Sequence, residues 1–412
     1  MTSDITEGRV VIVGGGHGGF QMAANLRSEG FAGAITLIGE EPGLPYQRPP
    51  LSKAFLKDGD AARLHFRPQS FFETNNIELL PATRVSRISP AEKHISTAAG
   101  FEIGYDHLVL ATGSRNIRPP VANLHLENVL SLRNLADAAD LRARLSAARH
   151  VLVIGGGFIG MEFAAVAADF GVEVTVIEGA DRLMARTVSG AVSKHFLALH
   201  EGRGTRVRLG RFVSELVDDG ADRVAGVRLS DGTEIAGDMV LIAAGVAPNS
   251  ELAAEAGLSV SNGIDVDTLL RTSDLSISAL GDCCNFPDPV SGNRVRLESV
   301  QAATDHARTI AKRLTGKPAP YTAVPWFWSD QSHFKLQIAG LGSGADEQVA
   351  LEPEAGSLVV INFAAGRLIS VETVNSAAAH MSARRLLASG RPVAQAELAA
   401  HNYNLVDYAR AV

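Results

Sequence analysis

Three features of this 412-residue sequence predict an α/β protein with two parallel-sheet units and a smaller α+β unit at the C-terminus. A short apolar run followed by glycines in GxGxxG spacing, a helical stretch and a second apolar run ending in an acid occurs near the start. The same pattern returns 141 residues later, Gly14 being matched by Gly155. Beyond a proline-rich stretch from Gly316 to Pro325, three further strand-like runs precede an alanine-rich helix, with no third glycine pattern. At this length two or three domains are expected.

Composition narrows the class. An apolar fraction of 46% and a charged fraction of 20% are those of a globular protein, and no apolar run reaches the roughly 18 residues of a membrane span. The N-terminal MTSDITEGR lacks the charged and apolar regions of a signal peptide, so a cytoplasmic location is expected. The net charge of -7 argues against a nucleic-acid partner for the molecule as a whole. The two cysteines, Cys283 and Cys284, are neighbours, which excludes a CxxC pair and points to free thiols in a reducing compartment.

The first pattern assigns a duty to each residue. Val10 to Val13 reads as a buried strand, Phe20 to Ser28 as a helix and Ile35 to Ile38 as the next strand, followed by Glu40. Gly14 permits the tight turn, Gly16 lets backbone N–H groups approach a pyrophosphate, and Gly19 lets helix and strand pack closely, while Glu40 takes ribose hydroxyls. The prolines of Pro42 to Gly59 resist helix until about Leu51 and leave a loop carrying Arg48 and Lys53, either solvated or facing phosphate or a flavin ring. That early region holds no cysteine. Ile77 to Leu110 alternates turns with short apolar runs and reads as a small sheet returning to the first, and Leu108 to Ala111 leads into Thr112 and Gly113.

In the second pattern Val151 to Ile154 is a strand, Gly155, Gly157 and Gly160 restore the spacing, and Met161 to Phe170 is a helix stopped by Gly171. Val172 to Ile177 is a strand ending in Glu178. Electron transfer between two dinucleotides is the simplest chemistry that needs both patterns. A carboxylate at Glu178 bonds the free 2′-hydroxyl of NAD and repels the 2′-phosphate of NADP, so NADH is preferred, with Arg182 and Arg186 just beyond able to soften that preference. Glu162, in the first turn of the second helix, either answers the helix dipole or faces the nicotinamide.

Gly237 to Pro248 is the last strand of this inserted unit and the return crossing. Thr272 to Asp282 reads as a strand presenting Gly281 and Asp282, the aspartate suited to a polyol chain, to a helix N-cap, or to both. The cysteines after it are read as inert packing, because Asp282 is the opposite of the electropositive setting a thiolate needs. Glu298 to Arg313 is a helix, and strands are expected at Lys335 to Ala339, Leu358 to Phe363 and Ile369 to Thr373. Trp326 and Trp328 share one side of an extended segment. The segment from Arg294 to Lys317 is locally basic and reads either as a solvated helix face or as a docking strip for an acidic partner, with Arg384 and Arg385 as equal contributors.

The order GGGHGG, RPPLSK, ATG, GGGFIGME, ALGD, ESVQAA and PWFWSDQ, spread over nearly the whole chain, resembles the flavin-dependent NADH:ferredoxin reductases of bacterial oxygenase systems. Single motifs are shared with glutathione reductase, rubredoxin reductase and apoptosis-inducing factor, and RPPLSK together with FWSDQ is more specific. The departure from the glutathione-reductase pattern is the missing cysteine pair. The resemblance implies two Rossmann-like, glutathione-reductase-like dinucleotide domains plus a C-terminal interface domain. Their expected bounds are 1–118 with 248–322 for FAD, 119–247 for NADH and 323–412 for the interface.

By residue, the resemblance puts Gly14, Gly16, His17, Gly18, Gly19, Glu40, Arg48, Lys53, Val85, Ala111, Thr112, Gly113, Arg133, Gly281, Asp282 and Val300 around FAD. Gly155, Gly157, Ile159, Gly160, Glu162 and Glu178 fall on NADH. Lys53 and Glu162 resemble the charged pair beside the reactive edge of the flavin, and Trp328 the aromatic at the ring's exposed side. His17 replaces the residue some relatives carry in the glycine turn. No metal site is implied. The implied reaction is hydride transfer from NADH to FAD, then single-electron delivery to a small iron-sulfur ferredoxin, 2Fe-2S in type. That ferredoxin feeds a cytochrome P-450 type monooxygenase or a Rieske dioxygenase. Rubredoxin reductase and an apoptosis-inducing-factor-like flavoprotein are the alternatives.

Overall fold

The computed structural model describes residues 7–289 and 291–412. The first six residues, part of the N-terminal stretch read above for a signal peptide, lie outside them. The chain divides into two compact units, one formed by residues up to 48, 61–115 and 246–323, the other by 49–60, 116–245 and 324–412.

The first unit is built on a five-stranded parallel sheet in the spatial order Ile277–Ala279, His107–Leu110, Arg9–Val13, Ala34–Ile38, Ile77–Leu80. A parallel sheet is covered on both faces, which is why its central strands are continuous apolar runs rather than alternating ones. Val10, Val11, Ile12, Leu108, Val109 and Leu110 have no exposed surface. The helix His17–Ser28 follows the central strand and packs against Val300–Leu314, whose N-cap Ser299 accepts from the N–H of Ala302 at 3.0 Å. Much of the region between Ile77 and Leu110 forms a separate antiparallel sheet of Val85–Ser89, His94–Thr97 and Glu102–Gly104.

One expected strand is largely absent. Only Ile277–Ala279 of the Thr272 to Asp282 stretch is extended. Thr272 Oγ1 donates to the carbonyl of Asp274, and the Asp274 carboxylate accepts from the N–H of Ser276 at 2.8 Å, so local side-chain bonds close a turn where the sequence read a strand. Asp282 is no N-cap either: it lies inside the 3-10 turn Gly281–Cys283, which Leu280 caps.

The second unit repeats the parallel sheet, in the order Arg206–Leu209, Glu173–Glu178, His150–Ile154, Met239–Ile242, Val129–Ser131, with the helix Phe158–Asp169 after its central strand. Its C-terminal part is an antiparallel sheet ordered Trp326–Gln331, Phe334–Gly340, Arg367–Val374, Leu358–Ala364, Glu347–Leu351, with the helix Ala377–Ala388 packed on it. The edge strand Glu347–Leu351 escaped the sequence reading because most of its side chains face solvent and its alternation is confined to two half-buried residues, Val349 and Leu351, too short a period-2 signal to read. Residues 49–60 turn helical earlier than their prolines suggest. Pro49–Ser52 is a 3-10 turn, since a proline's fixed φ is tolerated at a helix start, and Ala54–Asp58 is a short helix ended by Gly59 at φ 71°. Lys57 holds this segment to the second-unit helix through Asp169, 2.8 Å away.

Candidate functional site

The first glycine turn separates packing from approach. A Cβ on Gly14 would come within 2.1 Å of the Ala111 carbonyl oxygen and one on Gly19 within 1.8 Å of the Gly14 carbonyl oxygen. At Gly16 it would meet only the Arg48 guanidinium, at 3.9 Å. Gly16 is the N-cap of the following helix and offers no side-chain cap, so the first-turn N–H groups and the helix dipole are left for an anion. Arg48, also paired with Glu41, brings a cation to this open side. Glu40 follows the neighbouring strand, largely exposed and 3.7 Å from Arg84.

His17 opens the helix, and its state follows from its partner. The Thr304 hydroxyl donates to the carbonyl of Val300 at 2.8 Å, so its oxygen accepts from His17 Nε2, 3.0 Å away. Nδ1 is then a bare acceptor, and it is buried without a partner. Burial pushes the ring down to about 4, with Asp282 nearby opposing the shift, so it is neutral at physiological pH. The Asp282 carboxylate accepts from Ser114 Oγ at 2.8 Å, and Thr112 Oγ1 donates to the Asn249 carbonyl at 2.6 Å. Gly113 and Gly281 hold left-handed φ values of 66° and 72°, Gly18 packs on Leu280, Val85 is buried and Val300 starts its helix. A bare imidazole nitrogen and a carboxylate in one region suit a ligand rich in hydroxyls, and the open helix start suits its phosphates, so these residues fit FAD.

The second turn keeps the same division. A Cβ on Gly155 would lie 2.3 Å from the Ala243 carbonyl oxygen and one on Gly160 2.1 Å from that of Gly155, whereas at Gly157 nothing lies within 4 Å. Glu178 accepts from the N–H of Gly156 at 2.6 Å and from that of Ala180 at 2.7 Å, so the strand-end acid is held against the turn it serves. Arg182 donates to the carbonyls of Val188 and Ala185, both at 2.6 Å, which commits its guanidinium to the backbone; Arg186 is exposed. Ile159 stands 44% exposed at the start of the helix. These residues fit a dinucleotide with a free 2′-hydroxyl.

One turn further along that helix, Glu162 is only 4% exposed and lies 2.8 Å from Lys53 Nζ. Ser52 Oγ donates to the same carboxylate at 2.5 Å and Ser329 Oγ at 2.7 Å. Lys53 and Arg133, both expected around FAD, belong to the second unit; Arg133 precedes the capping box of Leu135–Leu145 and donates its N–H to Asp137 at 2.8 Å. Ser52 and Ser329 were passed over because a serine carries little signal alone; their place in RPPLSK and FWSDQ was the available clue. Half-buried Trp328 stands 5.5 Å from Trp326, ring centre to ring centre, with the Arg384 guanidinium 4.3 Å over the Trp326 ring.

Most side chains of the basic strip are engaged by neighbours. Arg294 donates to the carbonyls of Val266 and Asn285, Arg296 pairs with Glu298, Arg308 with Asp305 and Lys317 with Glu29. Arg313 donates to Ser278 and is lowered to about 10 by burial. Lys312 alone of the six is exposed with no ion pair among the described residues. Both cysteines are free and buried, and burial raises both thiols. Among the described residues no group of three His, Cys, Asp or Glu side chains could hold a metal ion, and no helix is long and apolar enough to cross a membrane.

Two open glycine turns, each with an acid at or just beyond the end of the next strand, define a two-nucleotide oxidoreductase. Residues 8–307 match the pyridine nucleotide-disulphide oxidoreductase family and residues 326–409 the reductase C-terminal family, and the chain belongs to the family these describe. It is 45% identical to rhodocoxin reductase of Rhodococcus erythropolis over 96% of this chain and 93% of that one. Its structure is similar to that of a ferredoxin reductase from Rhodopseudomonas palustris, at a TM-score of 0.94 and 47% identity over 97% of this chain and 99% of the other. It is similar also to the reductase in a covalent putidaredoxin reductase-putidaredoxin complex, with TM-score 0.94, 36% identity and 98% of each chain covered.

Proposed function

We propose that this chain is an NADH-dependent ferredoxin reductase that holds FAD in the first unit and NADH in the second. It would pass electrons to a small iron-sulfur ferredoxin serving a cytochrome P-450 type monooxygenase or a Rieske dioxygenase, in the cytoplasm. The carrying observation is the pair of open glycine turns in a chain whose only thiols, Cys283 and Cys284, are buried. With no accessible thiol to receive them, electrons entering through a nucleotide have to leave to a separate acceptor. The named relatives are reductases of that kind.

FAD, when bound, supplies the conversion of a hydride pair into single electrons. The residues of the chain bind and align. The Gly157 helix start takes the NADH pyrophosphate, Glu178 the adenosine ribose, and Glu162 with its counter-ion Lys53 orients the nicotinamide. Arg48 and the Gly16 helix start hold the FAD pyrophosphate, Glu40 its ribose, and Asp282 with His17 its polyol. Residues 1–118 with 248–322 are assigned to FAD, 119–247 to NADH and 323–412, with Trp328, to the acceptor side. The test is anaerobic reduction of the purified flavoprotein by NADH, followed by delivery to ferredoxins and to rubredoxin. Reduction of a 2Fe-2S ferredoxin is expected; reduction of rubredoxin alone would make the chain a rubredoxin reductase.

A further inference from the structure

Two glutamates are buried among the described residues of the second unit, Glu372 at 2% exposure and Glu162 at 4%. Glu372 accepts from the N–H and hydroxyl of Ser189, the N-cap of the helix Gly190–Glu201, and thereby anchors that helix start to the C-terminal sheet. Glu162 caps nothing, yet three separate groups converge on it. Its Oε2 accepts from Ser52 and pairs with Lys53, while its Oε1 accepts from Ser329.

The Ser329 contact continues inward with a defined direction. The single hydroxyl proton of Ser329 goes to Glu162, so its oxygen is an acceptor, and Gln331 Nε2 donates to it at 3.3 Å. The amide oxygen of Gln331 then faces His200 Nε2, 2.8 Å away, and must accept from it. Burial holds His200 below the ordinary histidine range, so the neutral ring has one proton, on Nε2, and its buried Nδ1 has no partner. Every bond in this line points its proton toward Glu162.

A lysine ammonium is a compact point charge on a flexible stem and leaves a carboxylate free to rotate about its last bond. Hydroxyls donating to opposite oxygens fix the carboxylate plane. Starting from the proposed role of Glu162 at the nicotinamide, we infer that Ser52 and the Ser329–Gln331–His200 line are positioning residues that lock the Glu162 carboxylate in the orientation hydride transfer needs. The C-terminal segment thereby contributes to the reductive step as well as to the acceptor side. Misplacement of an aligning group by about 1 Å costs up to about a hundredfold in rate, so loss of one of two locking hydroxyls should cost about tenfold.

The experiment uses the holoenzyme. Ser329→Ala should slow flavin reduction at saturating NADH about tenfold while leaving the equilibrium Kd for ADP-ribose unchanged, Ser329→Thr should restore most of the rate, and Ser52→Ala should resemble Ser329→Ala. Combined with Glu162→Gln, Ser329→Ala should add little further slowing. Thermal unfolding of the same holoenzyme gives a readout without turnover, in which the same two substitutions should be non-additive. A parental rate in Ser329→Ala beside a slow Glu162→Gln would overturn the inference alone. A parental rate in Glu162→Gln would remove both the proposed role of Glu162 and the inference that rests on it.

Discussion

The two glycine turns look alike in sequence and differ where it matters for what they hold. The central strand pairs Val13 with Ile38 in the first unit and Ile154 with Ile177 in the second. The next residue is Gly39 in one and Glu178 in the other, so the two acids, treated as equivalents when the sequence alone is read, are offset by one position. Glu178 ends its strand and accepts from the Gly156 N–H of the turn; its structural counterpart is a glycine, packed so closely that a Cβ on Gly15 would lie 3.1 Å from Gly39 Cα. Arg48 stands over Gly16, and no atom lies as near at Gly157. A cation beside the open helix start suits an anionic cofactor that stays. A helix start served by backbone dipoles and one close acid suits a nucleotide that leaves after each turnover.

The largest effect expected separates packing from approach. Gly160→Ala puts a Cβ 2.1 Å from the Gly155 carbonyl oxygen and should destabilise the protein by on the order of 3 kcal/mol, read as a fall in Tm. The counterpart Gly19→Ala, 1.8 Å from the Gly14 carbonyl oxygen, should be at least as damaging, and a parental Tm in either would break the parallel between the turns. Next comes the acid that only the second turn holds close. Glu178→Arg should lower the ratio of kcat/KM for NADH over NADPH at least tenfold, about 1.4 kcal/mol, and Arg182 cannot compensate while it binds two carbonyls. An unchanged ratio would show that another residue reads the ribose.

A smaller effect concerns acid stability. His306 in the first unit accepts the Gly281 N–H at Nδ1, lies edge-on to Phe286 and Tyr321, and is pushed down to about 3 by burial. Its folded value lies below its unfolded value near 6.5, so its contribution is present above pH 6.5 and is lost as pH falls toward 3. His306→Phe should therefore flatten the acid limb of the stability curve by one proton's worth, roughly 1.4 kcal/mol per pH unit, as measured by urea unfolding at several pH values. The smallest effect is at the basic strip. Because Arg308 is paired with Asp305 and Lys312 is the one exposed cation of the strip without an ion pair among the described residues, charge reversal at Arg308 and Lys312 should reduce the salt dependence of ferredoxin reduction by no more than about twofold, measured by stopped-flow from ~50 to ~500 mM salt.

The central strands of both parallel sheets were legible because they are continuous apolar runs next to glycine turns, a local signal, whereas the strands Arg206–Leu209 and Val129–Ser131 carry no such run and were not read. What escaped depends on residues distant in sequence. The Lys53–Glu162 pair was reached only through the family resemblance, because no periodicity reports its chain separation, and Ser52 and Ser329 gain meaning only once the fold brings them to one carboxylate. The contacts of the basic strip were hidden for the same reason, since Glu29, Val266, Ser278 and Asn285 engage its side chains from elsewhere in the chain. The Glu40 and Glu178 offset is visible only in strand register.

The assignment of one cofactor to each turn is tested most directly by blocking each open glycine in turn. Gly16→Leu and Gly157→Leu both place a side chain where no backbone is close, so both should fold. The account predicts that Gly16→Leu is purified without flavin, while Gly157→Leu keeps its flavin spectrum, is bleached by dithionite and is not bleached by NADH. A Gly157→Leu protein that loses its flavin beside a Gly16→Leu protein that keeps it would contradict the assignment.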